Sequence, residues 1–289
     1  MTTASEPRPT SAAAIDVARV VIPLDTSPAS ERALGVAEWL GTSLGAPLEV
    51  VHVASREHDD MSTQAHLTAL ANGHGAKCTV LSEDHVADAL AAYIVAGDPA
   101  LVCLATHGRD RSSAIIGSTA ASLVDLLHEP TVLVGPKAEN AVPELSAPIV
   151  VAVGGQAEDE DLLQLAAQWA TQLARPLVVV TVVEPAPDTL RGDQLPSRAH
   201  GPADPAAYLA TLMAPLQAAG IAVSAEVIDD AVSIGAGLLG WLHRAPAAVL
   251  VVGAHHRRRL GRLLHGATAA HVAHVAPCPV LVVELDWRR

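Results

Sequence analysis

Short runs of apolar, mostly β-branched residues alternate along this chain with longer stretches rich in Ala and Leu. Uninterrupted apolar runs of roughly four to eight residues are typical of strands buried on both faces, whereas amphipathic stretches between them indicate helices. In the first part of the chain, strands are predicted near residues 19–24, 48–53, 77–81, 101–105 and 131–134. Helices are predicted between them, near residues 28–44, 62–74, 86–96 and 118–127. The pattern predicts βαβ units that form a five-stranded parallel sheet with helices on both faces.

The same pattern occurs a second time. Residues 20–25 match residues 149–154 at an offset of 129, and residues 101–105 match residues 249–253 at an offset of 148. Helices of the second copy are predicted near residues 159–173, 205–219, 233–243 and 267–275. The chain is therefore predicted to be a tandem duplication of one doubly wound, Rossmann-like α/β unit.

The growth of the offset from 129 to 148 means that the second copy contains 19 extra residues. Five prolines between residues 184 and 207 locate this insertion, which we predict to be a long mobile loop. We expect a disordered N-terminal tail over residues 1–17, a first domain over 18–137 and a second over 146–286.

The last predicted strand of each copy, near residues 132–134 and 280–283, is apolar. An unpaired apolar edge strand is an aggregation hazard, so we expect the two edges to pair about a pseudo-twofold axis. The two domains would then pack as a pseudo-dimer within one chain.

Composition narrows the class of partner. Half of the residues are hydrophobic, 17% are charged and the formal net charge is −13. This composition excludes a disordered chain, and the acidic balance argues against nucleic acid or an anionic membrane surface as a partner. No apolar segment reaches the roughly 18 residues of a membrane span, and no secretory signal is visible, so we expect a cytoplasmic protein.

Cysteines and histidines give little support for a metal centre or a disulfide framework. Cys78, Cys103 and Cys278 are far apart in apolar strands and are interpreted as core residues. Five histidines of the second copy raise a metal hypothesis, but neither Cys nor carboxylate shares their spacing, so no metal site is expected. They are His255, His256, His265, His271 and His274.

Candidate ligand-binding residues follow the first and fourth predicted strands. In an open parallel sheet, ligands bind beyond the carboxyl ends of the strands, where the strand order reverses. Asp25 supplies a carboxylate after the first strand, and Gly117-Ser118 opens a helix after the fourth. Backbone N–H groups at a helix N-terminus favour phosphate, so an anionic ligand with a polar far end would suit both places.

These features resemble the universal stress protein family, and specifically its tandem two-domain members. The resemblance rests on V-V-I-P-L-D at residues 20–25, V-V-H-V at residues 50–53 and the glycines after strand four. Family members that bind ATP carry the motif G-x2-G-x9-G-[ST] there. In this chain Ala105 replaces the first glycine, and eight residues instead of nine separate Gly108 from Gly117. By position, the resemblance implies nucleotide contacts from Pro23, Asp25, Val53, Gly108, Gly117 and Ser118.

The second copy departs from the motif at other positions. Gly253 and Gly266 keep the motif's spacing and are therefore candidates for nucleotide binding, although weaker ones than the residues of the first copy. However, Gly154 stands where the first copy has Asp25, and Ala267 stands where it has Ser118. We therefore expect nucleotide mainly in the first copy.

Each candidate also has a purely structural interpretation. Gly117-Ser118 could simply begin a helix that the serine caps. Asp25 could have no role beyond stabilising the start of the next helix through the helix dipole. The acidic run at residues 158–161 is interpreted as a solvated first helical turn, and Trp39 and Trp169 as equivalent core residues.

The resemblance implies a non-enzymatic stress-response or regulatory protein that binds ATP or a related adenine nucleotide, with or without Mg²⁺. Two alternatives remain open. One is a nucleotide-free interaction module that binds an unknown protein through its pseudo-dimer surface and Pro-rich loop. The other is an enzyme, a nucleotide-dependent hydrolase or adenylyltransferase in which His107 acts on the phosphates. The resemblance also allows slow ATP hydrolysis, and a homodimer remains open.

Overall fold

The computed structural model of the chain describes residues 15–25, 27–54, 61–106, 116–138, 144, 146–183, 202–229, 233–254 and 267–284. Elements of the first half, in chain order, are β1 (Arg19–Pro23), α1 (Ala33–Leu44), β2 (Leu48–Ala54), α2 (Met61–Gly73), β3 (Lys77–Ser82), α3 (Val86–Val95), β4 (Ala100–Ala105), α4 (Ser118–Leu126) and β5 (Thr131–Val134). Those of the second half are β6 (Ile149–Ala152), α5 (Asp159–Gln172), β7 (Leu177–Val183), α6 (Pro205–Ala218), β8 (Val223–Asp229), α7 (Ile234–Leu242), β9 (Val249–Ala254), α8 (Ala267–Val275) and β10 (Val280–Glu284). The predicted alternation of strands and helices is confirmed.

All ten strands form one sheet, in the order β3-β2-β1-β4-β5-β10-β9-β6-β7-β8. Strands are parallel within each half, while β5 and β10 pair antiparallel with Leu133 opposite Val280 and Thr131 opposite Val282. The predicted pairing of the two last strands is therefore confirmed. Because the two halves meet antiparallel, the carboxyl ends of their strands lie at opposite edges of the sheet.

Helices cover both faces of this sheet. One buried cluster lies beneath α1, α2, α5 and α6, and the other beneath α3, α4, α7 and α8. Each cluster contains residues from both halves, so the repeats share their cores. The outer strands β3 and β8 are more exposed than the strands between them.

Contacts across the two halves also form outside the sheet. The buried residue Ile15 donates its N–H to Gln172 Oε1 and accepts from Gln172 Nε2, both at 3.2 Å. Arg175 lies over the ring of Trp39, with 5.6 Å between its guanidinium carbon and the ring centroid. Trp169 is buried as predicted, whereas Trp39 is half-buried and packs against this arginine of the other half.

The predicted long loop is partly helical. Residues 184–201 lie outside the described residues. The helix α6 begins at Pro205, which confirms the helix predicted near residues 205–219; the loop prediction, which overlapped that helix, was wrong for residues 205–207. Asp204 caps this helix by accepting a bond from Ala207 N–H at 3.0 Å, and Pro205 occupies its first position. A carboxylate cap followed by proline is a strong helix start.

The cysteines are free thiols. Cys103 and Cys278 are buried as predicted, whereas Cys78 is half-buried on the outer strand β3. Burial raises the pKa of the Cys103 thiol well above its usual range and that of Cys278 to about 12. Across the described ranges, no helix has both the length and the apolar character that a bilayer span requires.

Candidate functional site

The chain reverses its strand order at β1. From β1 it runs outward through β2 to β3, and then returns to the other side of β1 to form β4. Connections on the two sides of this point leave the sheet on opposite faces, which opens a crevice between the carboxyl ends of β1 and β4. Val21 lies opposite Val102, so the parallel register brings Pro23 level with Leu104 at that edge.

Asp25 organises the turn that follows β1. Its Oδ1 accepts hydrogen bonds from Ser27 N–H at 3.0 Å and from the Ser27 hydroxyl at 2.5 Å. The hydroxyl oxygen of Ser27 in turn accepts from Ser30 N–H at 3.2 Å. These bonds close the turn that precedes a 3-10 helix over Ser30–Arg32, whose N-cap is Ala29 and not Ser27. The α-helix α1 begins only at Ala33, later than the predicted start near residue 28. Asp25 itself is half-buried.

Hydrogen bonds of Thr106 connect the end of β4 with the start of α4. Thr106 is fully buried, its N–H donates to Val134 O at 3.0 Å, and its carbonyl accepts from Gly117 N–H at 2.7 Å. The second bond holds the start of α4 against the end of β4. Gly117 is the N-cap of α4, so the alternative in which Ser118 caps this helix was wrong. Ser118 is the first helical residue and its side chain is exposed.

Five of the sequence candidates therefore meet at one edge of the first half. Pro23 and Asp25 follow β1, Val53 lies near the end of β2, and Gly117 and Ser118 begin α4. Val53 is buried in the core cluster beneath α3 and α4. Gly108 lies outside the described residues. The edge combines a carboxylate that accepts hydrogen bonds with helix amides that donate them.

The equivalent edge of the second half is built differently. Asp159 Oδ2 accepts from three successive backbone N–H groups, Gly154 at 2.9 Å, Gly155 at 2.7 Å and Gln156 at 3.0 Å. The Tyr208 hydroxyl donates to the same oxygen at 2.6 Å. Burial, together with the bond to Asp159, raises the pKa of Tyr208, so the phenol stays protonated and donates.

Asp159 is buried, and the interpretation of the acidic run as solvated was wrong for this residue. A signal was present in the sequence, since Gly-Gly followed by Asp at a helix start can form such a turn. Gly253 is the second-last residue of β9 and is exposed, while Gly266 lies outside the described residues. Across the described ranges, no group of three or more His, Cys, Asp or Glu side chains could hold a metal ion.

Comparison with known proteins agrees with the architecture. The chain is similar to the crystal structure of a universal stress protein from Archaeoglobus fulgidus DSM 4304, with 14% identity, a TM-score of 0.68, and coverage of 94% of this chain and 100% of that one. It is also similar to a functionally unknown protein from Pseudomonas aeruginosa PAO1, with 15% identity, a TM-score of 0.61, and coverage of 93% and 92%. At these identities the similarity shows the fold.

A universal stress protein from Archaeoglobus fulgidus in complex with dAMP matches at 19% identity, with a TM-score of 0.35, over 48% of this chain and 99% of that one. No curated protein matches the chain significantly. A model of the universal stress protein family matches residues 17–77 and 147–284, which is more than half of the chain and includes parts of both repeats. The chain therefore belongs to the universal stress protein family.

Proposed function

We propose that the protein binds ATP or a related adenine nucleotide at the carboxyl edge of its first half, and acts in the cytoplasm as a nucleotide-dependent regulatory protein. One observation carries the proposal. The Asp25 carboxylate and the N-terminus of α4 lie at the same strand reversal, and the Gly117–Thr106 hydrogen bond holds that helix start at the sheet edge.

Chemical complementarity supports a nucleotide. Ribose hydroxyls and the adenine amine are hydrogen-bond donors, which a carboxylate such as that of Asp25 accepts. Phosphate oxygens are acceptors with negative charge, which the backbone amides and the dipole of α4 favour. Gly117 has no Cβ and Ser118 has an exposed hydroxyl, so phosphate can approach the first turn closely.

The second half lacks the features that favour nucleotide binding in the first. Gly154 provides no carboxylate, and the amides of residues 154–156 already donate to Asp159. A nucleotide would have to displace a buried carboxylate that accepts four hydrogen bonds, which makes binding there unfavourable. We therefore propose that the first half holds the nucleotide.

Calorimetric titration with ATP tests the proposal. We expect about one nucleotide per chain, and a Kd raised roughly 10- to 100-fold by Asp25→Ala, because a hydrogen bond to a charged group is lost. Asp25→Asn keeps an oxygen that can accept from Ser27 but removes the charge, so it separates damage to the turn from loss of the carboxylate. Gly117→Ala should also weaken binding.

Gly154→Asp is the matched control in the second half. A Cβ added at Gly154 would meet no atom within 4 Å, so the protein should tolerate the change with unchanged affinity. Unchanged affinity in both Asp25→Ala and Gly117→Ala, with loss on replacing Gly253 or Gly266, would place the nucleotide in the wrong half for this proposal.

A further inference from the structure

His52 holds the backbone at the end of β1. It is 3% exposed, and the alternation along β2 directs its side chain to the same face as Val50, beneath α1 and α2. Its Nδ1 lies 2.7 Å from Leu24 O. A carbonyl oxygen can only accept a hydrogen bond, so Nδ1 must carry the proton and donate it.

This bond fixes the residue that immediately precedes Asp25. Leu24 lies just beyond β1, and its N–H donates to Val51 O at 3.0 Å. Both polar backbone groups of Leu24 are thus bound to β2, one by the backbone of Val51 and the other by His52. The bond from the N–H fixes the peptide plane between Pro23 and Leu24. The bond to the carbonyl fixes the peptide plane between Leu24 and Asp25, and with it the start of the Asp25–Ser27 turn.

The second half provides an internal comparison. Val153, the equivalent of Leu24, keeps the backbone bond, donating its N–H to Val180 O at 2.9 Å. Thr181 occupies the position of His52; it is fully buried, and its Oγ1 has no hydrogen-bond partner within the ranges that the structure describes. The side-chain bond to the carbonyl therefore belongs to the half that presents Asp25.

We propose that His52 is a positioning residue of the nucleotide site, which holds the Leu24 carbonyl and thereby orients the Asp25 carboxylate toward the ligand. The proposal rests on the proposed function for its ligand. The hydrogen bond between His52 and the Leu24 carbonyl, which we call the His52 clamp, lies within the chain itself. Its presence can therefore be tested without a ligand.

Three variants of the full chain test the role. His52→Asn places an amide N–H near the position of Nδ1, whereas His52→Leu removes the donor. His52→Thr introduces the residue that the second half has at this position, and it serves in place of the leucine variant if that variant does not fold. Thr181→Val is the matched control, because it changes the equivalent position without touching the clamp.

Amide hydrogen exchange of Asp25, Ser27 and Ser30 is measured in the nucleotide-free proteins, and the Kd for ATP is measured by calorimetry. We expect His52→Leu and His52→Thr to raise both the amide exchange rate and the Kd for ATP by about tenfold, which corresponds to the loss of one hydrogen bond. His52→Asn should restore both values to near those of the unmodified protein, and Thr181→Val should change neither.

Exchange at these amides that is unchanged in the leucine and threonine variants would overturn the proposal. So would equal loss in the asparagine and leucine variants, because rescue by a donor is what distinguishes positioning from packing. If the unmodified protein binds no ATP while the exchange pattern is as expected, the proposed function fails and the clamp stands.

Discussion

Glu49 shows how a single buried charge can be stabilised in this fold. It lies near the start of β2, at the sheet edge opposite Asp25, and is 6% exposed. It accepts from Arg19 at 2.8 Å, Lys77 at 3.0 Å, Thr79 at 2.8 Å and Tyr93 at 2.6 Å. Burial alone would raise the pKa of Glu49, but these four donors together lower it from 4.5 to about 2.

The Glu49 site predicts a specific dependence of stability on pH. Because the carboxyl pKa is lower in the folded state, its contribution is fully present above about pH 4.5 and is lost as the pH falls toward 2. The contribution is on the order of 3 kcal/mol. Urea unfolding of the unmodified protein and of Glu49→Gln at pH 7 and pH 3 measures it.

The variant should be less stable at pH 7 and should lose less stability between the two pH values. Other carboxylates titrate equally in both proteins, so the difference between them isolates Glu49. An equal loss of stability in the two proteins would show that Glu49 is not held as described.

Asp159 should matter more for stability than its acidic neighbours. We expect Asp159→Asn to lower the free energy of unfolding by about 2–3 kcal/mol, since four donors would lose a charged acceptor. Asp161→Asn, at an exposed position of the same helix, should change it by less than about 0.5 kcal/mol. Equal effects in chemical denaturation would contradict the buried turn.

Sequence reasoning reached Asp25 and Gly117 because topology alone decides which strand ends meet at one edge. It missed the Asp159 turn, for which the two glycines before the helix were a signal, because the acidic run was interpreted as a whole. It missed the hydrogen bond of His52 because a strand histidine looks the same in the sequence whether it is solvated or buried. Those roles depend on which backbone groups the fold places within hydrogen-bond distance. Such partners are tertiary, and periodicity carries no information about them.

At the scale of elements, hydrophobic periodicity predicted the strands to within a residue or two. The errors lie where hydrogen bonds of side chains set the boundary. The Asp25–Ser27 turn delays α1 until Ala33. Asp204 caps α6 at the start predicted for this helix, although the predicted loop ran on to residue 207. A boundary is fixed by its caps, and several residue types can provide one.

Helix α1 offers two glycines that should respond oppositely to one substitution. A Cβ at Gly35 would meet nothing within 4 Å, so Gly35→Ala should stabilise the protein by about 0.5–1 kcal/mol through helix propensity. A Cβ at Gly41 would lie 2.6 Å from Leu48 Cδ2 and 2.9 Å from Ala46 O, so Gly41→Ala should destabilise it. Thermal unfolding of both variants measures the change in stability that each substitution causes. A change of the same sign in both would refute the packing of α1 on β2.

At the scale of the whole molecule, duplication has produced one folded unit. The sheet is continuous through β5 and β10, and both buried clusters include residues of both halves. The bonds between Ile15 and Gln172 add a further tie. The two strand reversals nevertheless open at opposite edges of the sheet, so a ligand at one does not contact the other.

This shared core predicts cooperative unfolding. Calorimetry should give a single transition in which the calorimetric and van't Hoff enthalpies agree, because neither half can expose its last strand without exposing the other's. Two separate transitions would show that the halves are independent.

Hydrogen exchange of the full chain with and without ATP tests most directly whether the first half binds the nucleotide. ATP should protect amides at residues 23–25, 51–54 and 117–120, which surround the strand reversal between β1 and β4. Residues 153–156 and 252–254, at the other edge, should exchange at the same rate in both conditions. Protection confined to those second-half residues, or no protection anywhere at saturating ATP, would contradict the account.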